Sequence, residues 1–312
     1  MLAPADHPAT SSRLGLGLDV GGTETRWALA DPDGSLIAEG AMPGFSGLDL
    51  QRPEGEVQVA DLLTALAASL PHGARPVRLV AGVTGMGEPE GPVAVRLRGL
   101  LARALQLDAD VIRLFSDIEL AYRSVFGPGE GYLVYAGTGS IAAFVDEAGI
   151  FHRAGGYGGL LDDAGSGYWI AREALRQIWR TEDEEPGAWQ RSMLAQALFA
   201  RIGGSDWSSS RAFVYGANRG EIGKLALAVA EAGDADPLAH DILWSAGAEL
   251  ARLAGALIHR FGPRPVVLSG RAAGLHPVIE TAMRECLPAN VALQRSTLAA
   301  HHAAARLAVQ AR

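Results

Sequence analysis

One short pattern occurs twice in this chain and constrains its fold more than any other feature. In each copy an apolar strand leads to a glycine and a threonine, a second strand follows, and an Asp-x-x-Gly turn opens a third strand. The offset between the copies is 115 residues (137 − 22) at every matched position. The matched residues are Gly22, Thr23, Asp31 and Gly34 in the first copy and Gly137, Thr138, Asp146 and Gly149 in the second. A constant offset without a gap indicates one folded unit used twice.

The glycine turns predict a nucleotide site of a particular kind. A dinucleotide-binding turn must lead into a helix, whereas residues 23–30 alternate like a strand and end in the turn signal Asp31-Pro32-Asp33-Gly34. No glycine pair is followed by Gly-Lys-Ser or Gly-Lys-Thr, so a P-loop is excluded. Two hairpin turns on opposite walls of one cleft would present backbone N–H groups to the oxygens of a polyphosphate. We therefore expect an enzyme that uses a nucleotide.

Length and composition set the outer bounds. With 312 residues the chain exceeds the usual size of one core, so two domains are expected. The net charge of -8 gives no basic face for nucleic acid, and no apolar stretch reaches the roughly 18 residues that a membrane span needs. We expect a soluble protein with neither a nucleic-acid nor a membrane partner. Cys286 alone cannot form an internal disulfide, which fits the cytoplasm.

Hydrophobic periodicity predicts strands in hairpin groups with helices between them, as in two α/β domains. Residues 1–13 form an expected flexible tail, 14–115 a first domain, and 116–297 a second domain with a helical insertion. The last residues, 298–312, are expected to form a helix that packs back on the first domain. The predicted strands cover 14–20, 23–30, 35–41, 77–83, 111–115 and 266–268, with a hairpin unit over 131–155. The predicted helices cover 59–70, 93–105, 166–180 and 297–310, and helices dominate between 187 and 261.

Three segments resemble motifs of a known superfamily. Residues 19–26 (DVGGTETR) look like the first phosphate motif of the sugar kinase, heat-shock chaperone and actin superfamily, and residues 136–140 (AGTGS) look like the second. Residues 155–169 (GGYGGLLDDAGSGYW) resemble the loop of N-acetylglucosamine kinases and of the BadF/BadG/BcrA/BcrD ATPase family. The resemblance implies two ribonuclease H-like domains in the actin-like ATPase fold. It also implies an ATP-dependent kinase that phosphorylates a hydroxyl of an amino sugar.

The resemblance also gives roles to the residues of the phosphate motifs. Asp19, at the end of a buried strand, would hold Mg²⁺ against phosphate oxygens, directly or through water. Its counterpart in the repeat is Val134, which fits a single metal position; a solvated aspartate at a strand end is the alternative. The threonines could bind phosphate or simply favour strands. The expected ATP-binding residues are Gly21, Gly22, Thr23, Thr25, Arg26, Gly137, Thr138, Gly139 and Ser140, with Gly270 and Arg271 in the adenosine motif. Arg271 replaces the usual second glycine and could either cover the adenine ring or point to solvent.

Asp117 is the expected general base. It follows the strand before the second hairpin, where the resembling kinases place an aspartate that accepts the proton of the attacking hydroxyl. Ser116 and Glu119 also have the spacing of a capping box, so Asp117 could serve only the N-terminus of a helix. The two roles are compatible, because a helix N-terminus would keep the aspartate ionised.

The glycine-rich loop is expected to bind the sugar. The resemblance assigns substrate contacts to Gly156, Tyr157 and Asp163, together with Asp117, and the carboxylate of Asp163 would bind substrate hydroxyls. The alternative is that Asp163 merely caps a helix that starts near Ser166.

Several departures from the family pattern leave the identity of the sugar open. N-acetylglucosamine kinases tend to have asparagines near Gly47 and at Ile141, while Tyr157, Gly159 and Ala164 replace the usual tryptophan, histidine and glutamate. The loss of hydrogen-bonding groups can change specificity by orders of magnitude. Glucosamine, another amino sugar and an unrelated alcohol are all open as substrates.

Two other protein classes share these motifs or this fold, but each needs a feature that we do not find in this sequence. An energy-coupling ATPase like the activators of acyl-CoA dehydratases needs an iron–sulfur cluster, which one cysteine per chain cannot easily supply even in a dimer. A sugar-sensing transcription regulator would need a DNA-binding segment, for which we expect no room before Leu14. By analogy with relatives we expect a homodimer. His301 and His302 are adjacent on a helix and should face different directions, so we expect structural or surface roles and not joint metal ligation.

Overall fold

A computed structural model of the protein describes residues 13–310, which divide into two compact units. The first unit comprises the described residues up to Ser124 and from Leu298 onward, and the second comprises Val125–Thr297. Of the expected tail over 1–13, only Arg13 lies within the described residues. The sequence suggests a boundary after residue 115, whereas the structure groups residues 116–124 with the first unit.

The first unit is built on a mixed sheet of five strands. Its two longer helices before residue 106, Pro53–Ser69 (α1) and Pro92–Leu105 (α2), both begin with proline, whose fixed φ suits the first helical position. In chain order the elements are β1 (Leu14–Val20), β2 (Glu24–Ala30), β3 (Leu36–Pro43), α1 (Pro53–Ser69), β4 (Pro76–Val83), α2 (Pro92–Leu105), β5 (Ile112–Ser116) and α3 (Asp117–Arg123).

The second unit contains another five-stranded sheet and most of the helices. Its elements are β6 (Tyr132–Ala136), β7 (Ser140–Val145), β8 (Phe151–Gly155), α4 (Gly167–Glu184), α5 (Met193–Ile202), α6 (Trp207–Gly216), α7 (Arg219–Gly223), α8 (Ala226–Ala232), α9 (Pro237–Phe261), β9 (Val266–Ser269), α10 (Pro277–Cys286) and β10 (Leu293–Arg295). The chain then returns to the first unit for α11 (Ala300–Gln310). Within residues 13–310, none of the helices combines the length and the apolar character that crossing a lipid bilayer requires.

The two sheets have the same topology. The strand order is β3-β2-β1-β4-β5 in the first unit and β8-β7-β6-β9-β10 in the second. In each sheet the first three strands form an antiparallel meander, and the last two run parallel to the first. The repeated sequence pattern therefore corresponds to a repeated fold. The expected fold class, two α/β units of the ribonuclease H-like kind, is confirmed.

The Asp-x-x-Gly turn recurs in atomic detail. The amide of Gly34 donates to the Asp31 carbonyl at 3.0 Å, and the amide of Gly149 donates to the Asp146 carbonyl at 2.9 Å. The Oδ1 atoms of both aspartates accept from the amides two and four residues later. Both glycines have a positive φ, 88° and 82°, which other residues rarely adopt. The turn between the second and third strands is thus the same structure in both units.

Strand β1 is covered on both faces, and its alternation of leucine with glycine explains how. Leu16 and Leu18 are fully buried in a core that they form with α1 and α2. Gly17 points to the other face, since side chains alternate along a strand, and a Cβ there would lie 2.2 Å from the amide nitrogen of Ala305 in α11. Burial of each leucine contributes about 1.5–3 kcal/mol. The missing side chains on the glycine face let α11 lie directly on the strand.

Replacing Gly17 with alanine is expected to destabilise the protein by about 1–3 kcal/mol, because the new methyl group overlaps backbone atoms of α11. Urea unfolding followed by circular dichroism measures the change. Gly255→Ala is the matched control, since Gly255 lies in α9 with no atom within 4 Å of its would-be Cβ. That control should leave the stability unchanged or raise it by up to about 1 kcal/mol. Equal stability of Gly17→Ala and the wild-type protein would show that α11 does not rest on β1 as described.

Candidate active site

The glycine turn between β1 and β2 is open on one side and closed on the other. Gly22 and Thr23 are exposed, and nothing lies within 4 Å of the position that a Cβ on Gly22 would take. On the closed side, the carbonyl oxygen of Gly21 lies 2.1 Å from the position of a Cβ on Gly44, so Gly44 packs directly against the turn. The carbonyl and the N–H of one trans peptide point in opposite directions. The amide of Gly22 therefore points to the open side.

The turn between β6 and β7 has its carbonyls bound to helix α4. The carbonyl of Gly137 accepts from the amide of Gly167 at 2.9 Å, and that of Thr138 accepts from Tyr168 at 3.4 Å. In each of these peptides the N–H belongs to the following residue and points the opposite way. The amides of Thr138 and Gly139 consequently point away from α4. Two successive amides on one side of a turn form the kind of concavity that binds anions.

The two glycine turns differ by one residue, although the offset in the sequence is constant. In the first turn, the Gly21 amide donates to the Glu24 carbonyl at 3.1 Å, so two residues lie between donor and acceptor. In the second turn, the Gly137 amide donates to the Gly139 carbonyl at 2.8 Å, so only one residue lies between them. The strand registers on either side show the same difference. The sequence repeat therefore identifies the motif but not the register of the hairpin.

Two carboxylates of the first unit come together at one edge of its sheet. Asp19 is the sixth residue of β1, and Asp117 is the first residue of α3, directly after β5. Thr84, directly after β4, donates its hydroxyl to Asp117 Oδ2 at 2.6 Å and its amide to the Val20 carbonyl at 3.0 Å. Because β1, β4 and β5 are parallel neighbours, their carboxyl ends lie side by side. This edge also carries the first glycine turn.

The surroundings of Asp19 favour a bound cation. Burial raises the pKa of Asp19, and the negative charge of Asp117 raises this pKa further, whereas Arg26 lowers it. The ionised form of Asp19 therefore destabilises the folded protein, and a bound cation would offset this destabilisation. Mg²⁺ in phosphate sites takes one or two carboxylates, with waters and phosphate oxygens as its other ligands. Asp19, in the negative field of Asp117, fits that requirement.

Asp117 is fixed through both of its oxygens. Oδ1 accepts from the amide of Ile118 at 2.9 Å, while Oδ2 accepts the Thr84 hydroxyl. The expected capping box is half formed: Ser116 Oγ accepts from the Glu119 amide at 3.1 Å, but the Glu119 carboxylate pairs with an arginine one turn later. Each carboxylate oxygen has further acceptor capacity. Asp117 is thus held in one orientation and can still accept further hydrogen bonds.

Three other residues expected to bind ATP have surroundings unlike those of the turn tips. Thr25 is fully buried in β2, and its hydroxyl has no hydrogen-bond partner among the described residues. Arg26 is exposed and pairs with Glu24 at 2.7 Å. Ser140 is buried and donates its hydroxyl to the Ala164 carbonyl at 2.7 Å, which ties the second turn to the glycine-rich loop. A phosphate contact for each of them stays a prediction.

Asp163 is buried within the glycine-rich loop. Its φ of 53° lies in the left-handed region, which aspartate tolerates better than most residues. Oδ1 accepts from the amide of Gly158 at 3.1 Å, and Oδ2 accepts from the guanidinium of Arg219. Helix α4 is capped instead by Ser166, whose hydroxyl accepts from the amide of Trp169 at 3.2 Å. The alternative reading of Asp163 as a helix cap is therefore wrong.

Sequence reasoning missed Arg219, the partner of Asp163. It is the first residue of α7, and the Asn-x-x-Glu capping box around it is the signal that could have located it. Its guanidinium carbon lies 5.5 Å from the ring centre of Tyr168. A Cβ on Gly139 would lie 2.7 Å from Asp163 Oδ2 and 3.5 Å from Arg219 Nη2. The ion pair therefore borders the second glycine turn, with the carboxylate oxygen nearer to Gly139 than the guanidinium.

The tip of the glycine-rich loop is exposed. Gly156 has a φ of 71°, and a Cβ on it would lie 2.7 Å from the side chain of Ile141. The side chain of Tyr157 is exposed, with the guanidinium carbon of Arg153 lying 5.7 Å from its ring centre. Gly156 thus lies against β7, and a substrate contact for Gly156 and Tyr157 stays a prediction.

Gly270 lies beside the end of the strand that carries the second glycine turn. It follows β9 with a φ of 98°, and a Cβ on it would lie 2.3 Å from the carbonyl oxygen of Ala136. Only glycine allows this approach of two backbones. Because β6 and β9 are parallel neighbours, the expected adenosine and phosphate motifs meet at one edge of the second sheet. Arg271 is exposed and begins a short helical turn over Ala272–Gly274.

Two sheets of identical topology, each with a glycine turn after its first strand, define a protein of the actin-like ATPase fold. The model of the BadF/BadG/BcrA/BcrD ATPase family matches residues 16–305. The chain belongs to this family, and the resemblance inferred from the sequence motifs is confirmed.

Individual proteins agree with this assignment. An N-acetyl-D-glucosamine kinase of Dictyostelium discoideum is 24% identical over 203 residues, which are 62% of this chain and 61% of the relative. The chain therefore spans about three fifths of the length of that curated relative. The crystal structure of a candidate N-acetylglucosamine kinase from Chromobacterium violaceum has a TM-score of 0.70 at 25% identity and covers 96% of this chain and 100% of its own. A ROK family glucokinase from Streptomyces griseus, solved with glucose and AMPPNP, has a TM-score of 0.62 at 17% identity over 96% and 99% of the two chains, which shows the shared fold.

Asp19→Asn is expected to stabilise the protein at pH 7 in the absence of Mg²⁺. Because its pKa is raised, Asp19 binds a proton more tightly in the folded protein than in the unfolded chain. Protonated Asp19 therefore contributes to the free energy of unfolding at acid pH, and this contribution is lost as the pH rises through the raised pKa. The amide of asparagine does not ionise, so the variant does not lose stability in this way. The variant should therefore unfold at a higher temperature than the wild-type protein at pH 7, and the two should converge in acid.

Thermal unfolding between about pH 4 and pH 8 measures this difference. Asp61→Asn, an exposed aspartate on α1, is the control and should follow the wild-type curve. A lower unfolding temperature for Asp19→Asn than for the wild-type protein at pH 7 would contradict the described repulsion.

Proposed function

We propose that this protein is an ATP- and Mg²⁺-dependent kinase that transfers the γ-phosphoryl group to a hydroxyl of an amino sugar, N-acetylglucosamine or a glucosamine-like sugar. The observation that carries the proposal is the orientation of Asp117, whose carboxylate is fixed by Thr84 in the electrostatic field of Asp19. Asp117 follows β5, at the sheet edge that also carries the first glycine turn. The family and the names of the relatives from Dictyostelium discoideum and Chromobacterium violaceum support it. The cytoplasmic location and the homodimer stay predictions.

The glycine turns would hold the phosphates of ATP. The amide of Gly22 in the first unit points to open space, and those of Thr138 and Gly139 in the second point away from α4. These amides would donate to phosphate oxygens. Asp19 would hold Mg²⁺, which supplies positive charge to the transferring phosphoryl group. Gly270 and Arg271 would lie against the adenosine.

Asp117 would act as the general base. It accepts the proton of the attacking sugar hydroxyl as the γ-phosphoryl group moves in line. The hydrogen bonds from Thr84 and Ile118 set its orientation before the sugar binds, so no ordering is needed during the reaction.

The sugar would contact Asp163, Gly156 and Tyr157. The buried carboxylate of Asp163 already accepts from Gly158 and Arg219, and its remaining lone pairs would accept from sugar hydroxyls. Ile141 lies under Gly156, so an apolar surface stands where related kinases offer an amide. A different pattern of polar contacts would shift specificity among amino sugars.

The first unit also has a tightly packed segment near the position of one of the family's asparagines. A Cβ on Gly47 would lie 2.5 Å from the carbonyl oxygen of Gly85, so no side chain fits at Gly47 itself without movement of the backbone. This packing supports a substrate range that differs from that of the named relatives.

Asp117→Asn is expected to lower kcat for sugar phosphorylation by about 10²- to 10⁴-fold, since the amide cannot accept the proton. Binding of ATP should change far less than kcat, because the amide keeps the shape of the side chain and Asp19 keeps its carboxylate. ADP release is measured with N-acetylglucosamine, glucosamine, glucose and no sugar, and ATP affinity by calorimetry. Asp110→Asn, an exposed aspartate just before β5, is the matched control and should retain the wild-type kcat.

Two outcomes decide against the kinase. Absence of sugar-dependent ADP release with every acceptor would overturn the proposal. ATP hydrolysis of equal rate with and without sugars would favour the energy-coupling ATPase instead.

A further inference from the structure

The terminal helix carries a histidine pair that meets a glutamate of strand β3. The Nε2 atom of His302 hydrogen-bonds Oε2 of Glu39, and Nε2 of His301 lies 3.7 Å from the same oxygen. The ligand atoms of the three residues all lie within 4.8 Å of one another. Three side chains with metal-binding atoms thus converge on one point.

The expectation that the adjacent histidines face different directions is wrong. Their ring centres are 4.2 Å apart. Successive residues of an α-helix point about 100° apart, but long side chains lean toward the helix N-terminus. His301 and His302 lie in the first turn of α11, where both rings reach the same carboxylate.

The cluster is buried at His301 and exposed to solvent at Glu39. His301 is 7% exposed, and its Nδ1 atom has no hydrogen-bond partner among the described residues. The side chain of Glu39 is 60% exposed, which gives an ion a route in and leaves room for a water ligand. Arg26, whose charge acts on His301, is paired with Glu24 and leaves Glu39 available. Within residues 13–310, no other group of three or more His, Cys, Asp or Glu residues has this spacing.

We propose that Glu39, His301 and His302 bind a divalent transition-metal ion of the zinc type, with water as a fourth ligand. Two imidazole nitrogens and one carboxylate oxygen form a ligand set that zinc accepts, whereas Mg²⁺ prefers oxygen ligands alone. With metal–ligand bonds of about 2.0–2.1 Å, a tetrahedral site separates its ligand atoms by about 3.3 Å. The 3.7 Å between His301 and Glu39 needs only a small adjustment of side chains. The ion would replace the proton shared by His302 and Glu39.

Such an ion would fasten the start of α11 to β3. The carbonyl of His301 lies 2.3 Å from the position of a Cβ on Gly17, so this turn of α11 already rests on β1. The ion would join residues that are 263 positions apart in the sequence. Because the site exists only in the folded chain, binding should raise stability. This effect is independent of ATP and of the proposed kinase activity.

The test uses the full chain, prepared without a histidine tag and stripped of metal with a chelator. Titration with Co²⁺ should give visible absorption bands that saturate at one ion per chain and disappear when Zn²⁺ is added. Zn²⁺ should also raise the unfolding temperature. Glu39→Gln and His302→Ala should each weaken Co²⁺ binding by at least about tenfold. His72→Ala, which removes an exposed histidine outside the cluster, should bind Co²⁺ like the wild-type protein.

Equal Co²⁺ affinity in the wild-type protein, Glu39→Gln and His302→Ala would overturn the proposal, as would the lack of saturable binding in the wild-type protein. Glu39→Gln keeps the shape of an exposed side chain, so it gives a result even if His302→Ala fails to fold. Circular dichroism of each metal-free variant checks that the fold is retained.

Discussion

The direction of a few peptide groups decides what this protein can bind. In the second glycine turn, the carbonyls of Gly137 and Thr138 accept from the first amides of α4, and each of these bonds turns the next amide outward. In the first turn, Gly44 packs against the carbonyl of Gly21 and leaves the amide of Gly22 facing open space. Both arrangements form when the chain folds. An arriving phosphate would therefore meet donors that are already oriented, which is the condition for strong electrostatic stabilisation.

The sheet edge that carries the first glycine turn also holds two carboxylates whose repulsion destabilises the folded protein. We interpret this repulsion as part of the site's chemistry. Three parallel strands end together and bring Asp19 close enough to Asp117 to raise the pKa of Asp19. A stability-optimised sheet would not keep two carboxylates there, and functional sites commonly keep such conflicts. Thr84 restrains Asp117 by a 2.6 Å hydrogen bond, so the repulsion is not relieved by rotation of that carboxylate. A metal-bound polyphosphate is the ligand that would make the arrangement favourable.

Sequence alone predicts the parts of this fold that depend on local chemistry. Alternating leucine and glycine identify β1, and the Asp-x-x-Gly signal predicts two turns that share the same main-chain hydrogen bonds. Features that depend on tertiary contacts cannot be predicted from local sequence. The three residues of β10 are too few to show periodicity, and the sequence pattern did not identify helix α10, between β9 and β10. The one-residue difference between the glycine turns follows from strand register, and the contacts of Arg219 and of the His301–His302 pair follow from packing.

Binding of phosphate by the amides of the glycine turns is tested by titrating ¹⁵N-labelled protein with Mg²⁺ and AMPPNP and following the amide chemical shifts. We expect large shifts at Gly22, Thr138 and Gly139, with little change at Gly34 and Gly149 in the Asp-x-x-Gly turns. Saturable binding of AMPPNP with no shift at the amides of Gly22, Thr138 and Gly139 would contradict phosphate binding by the glycine turns.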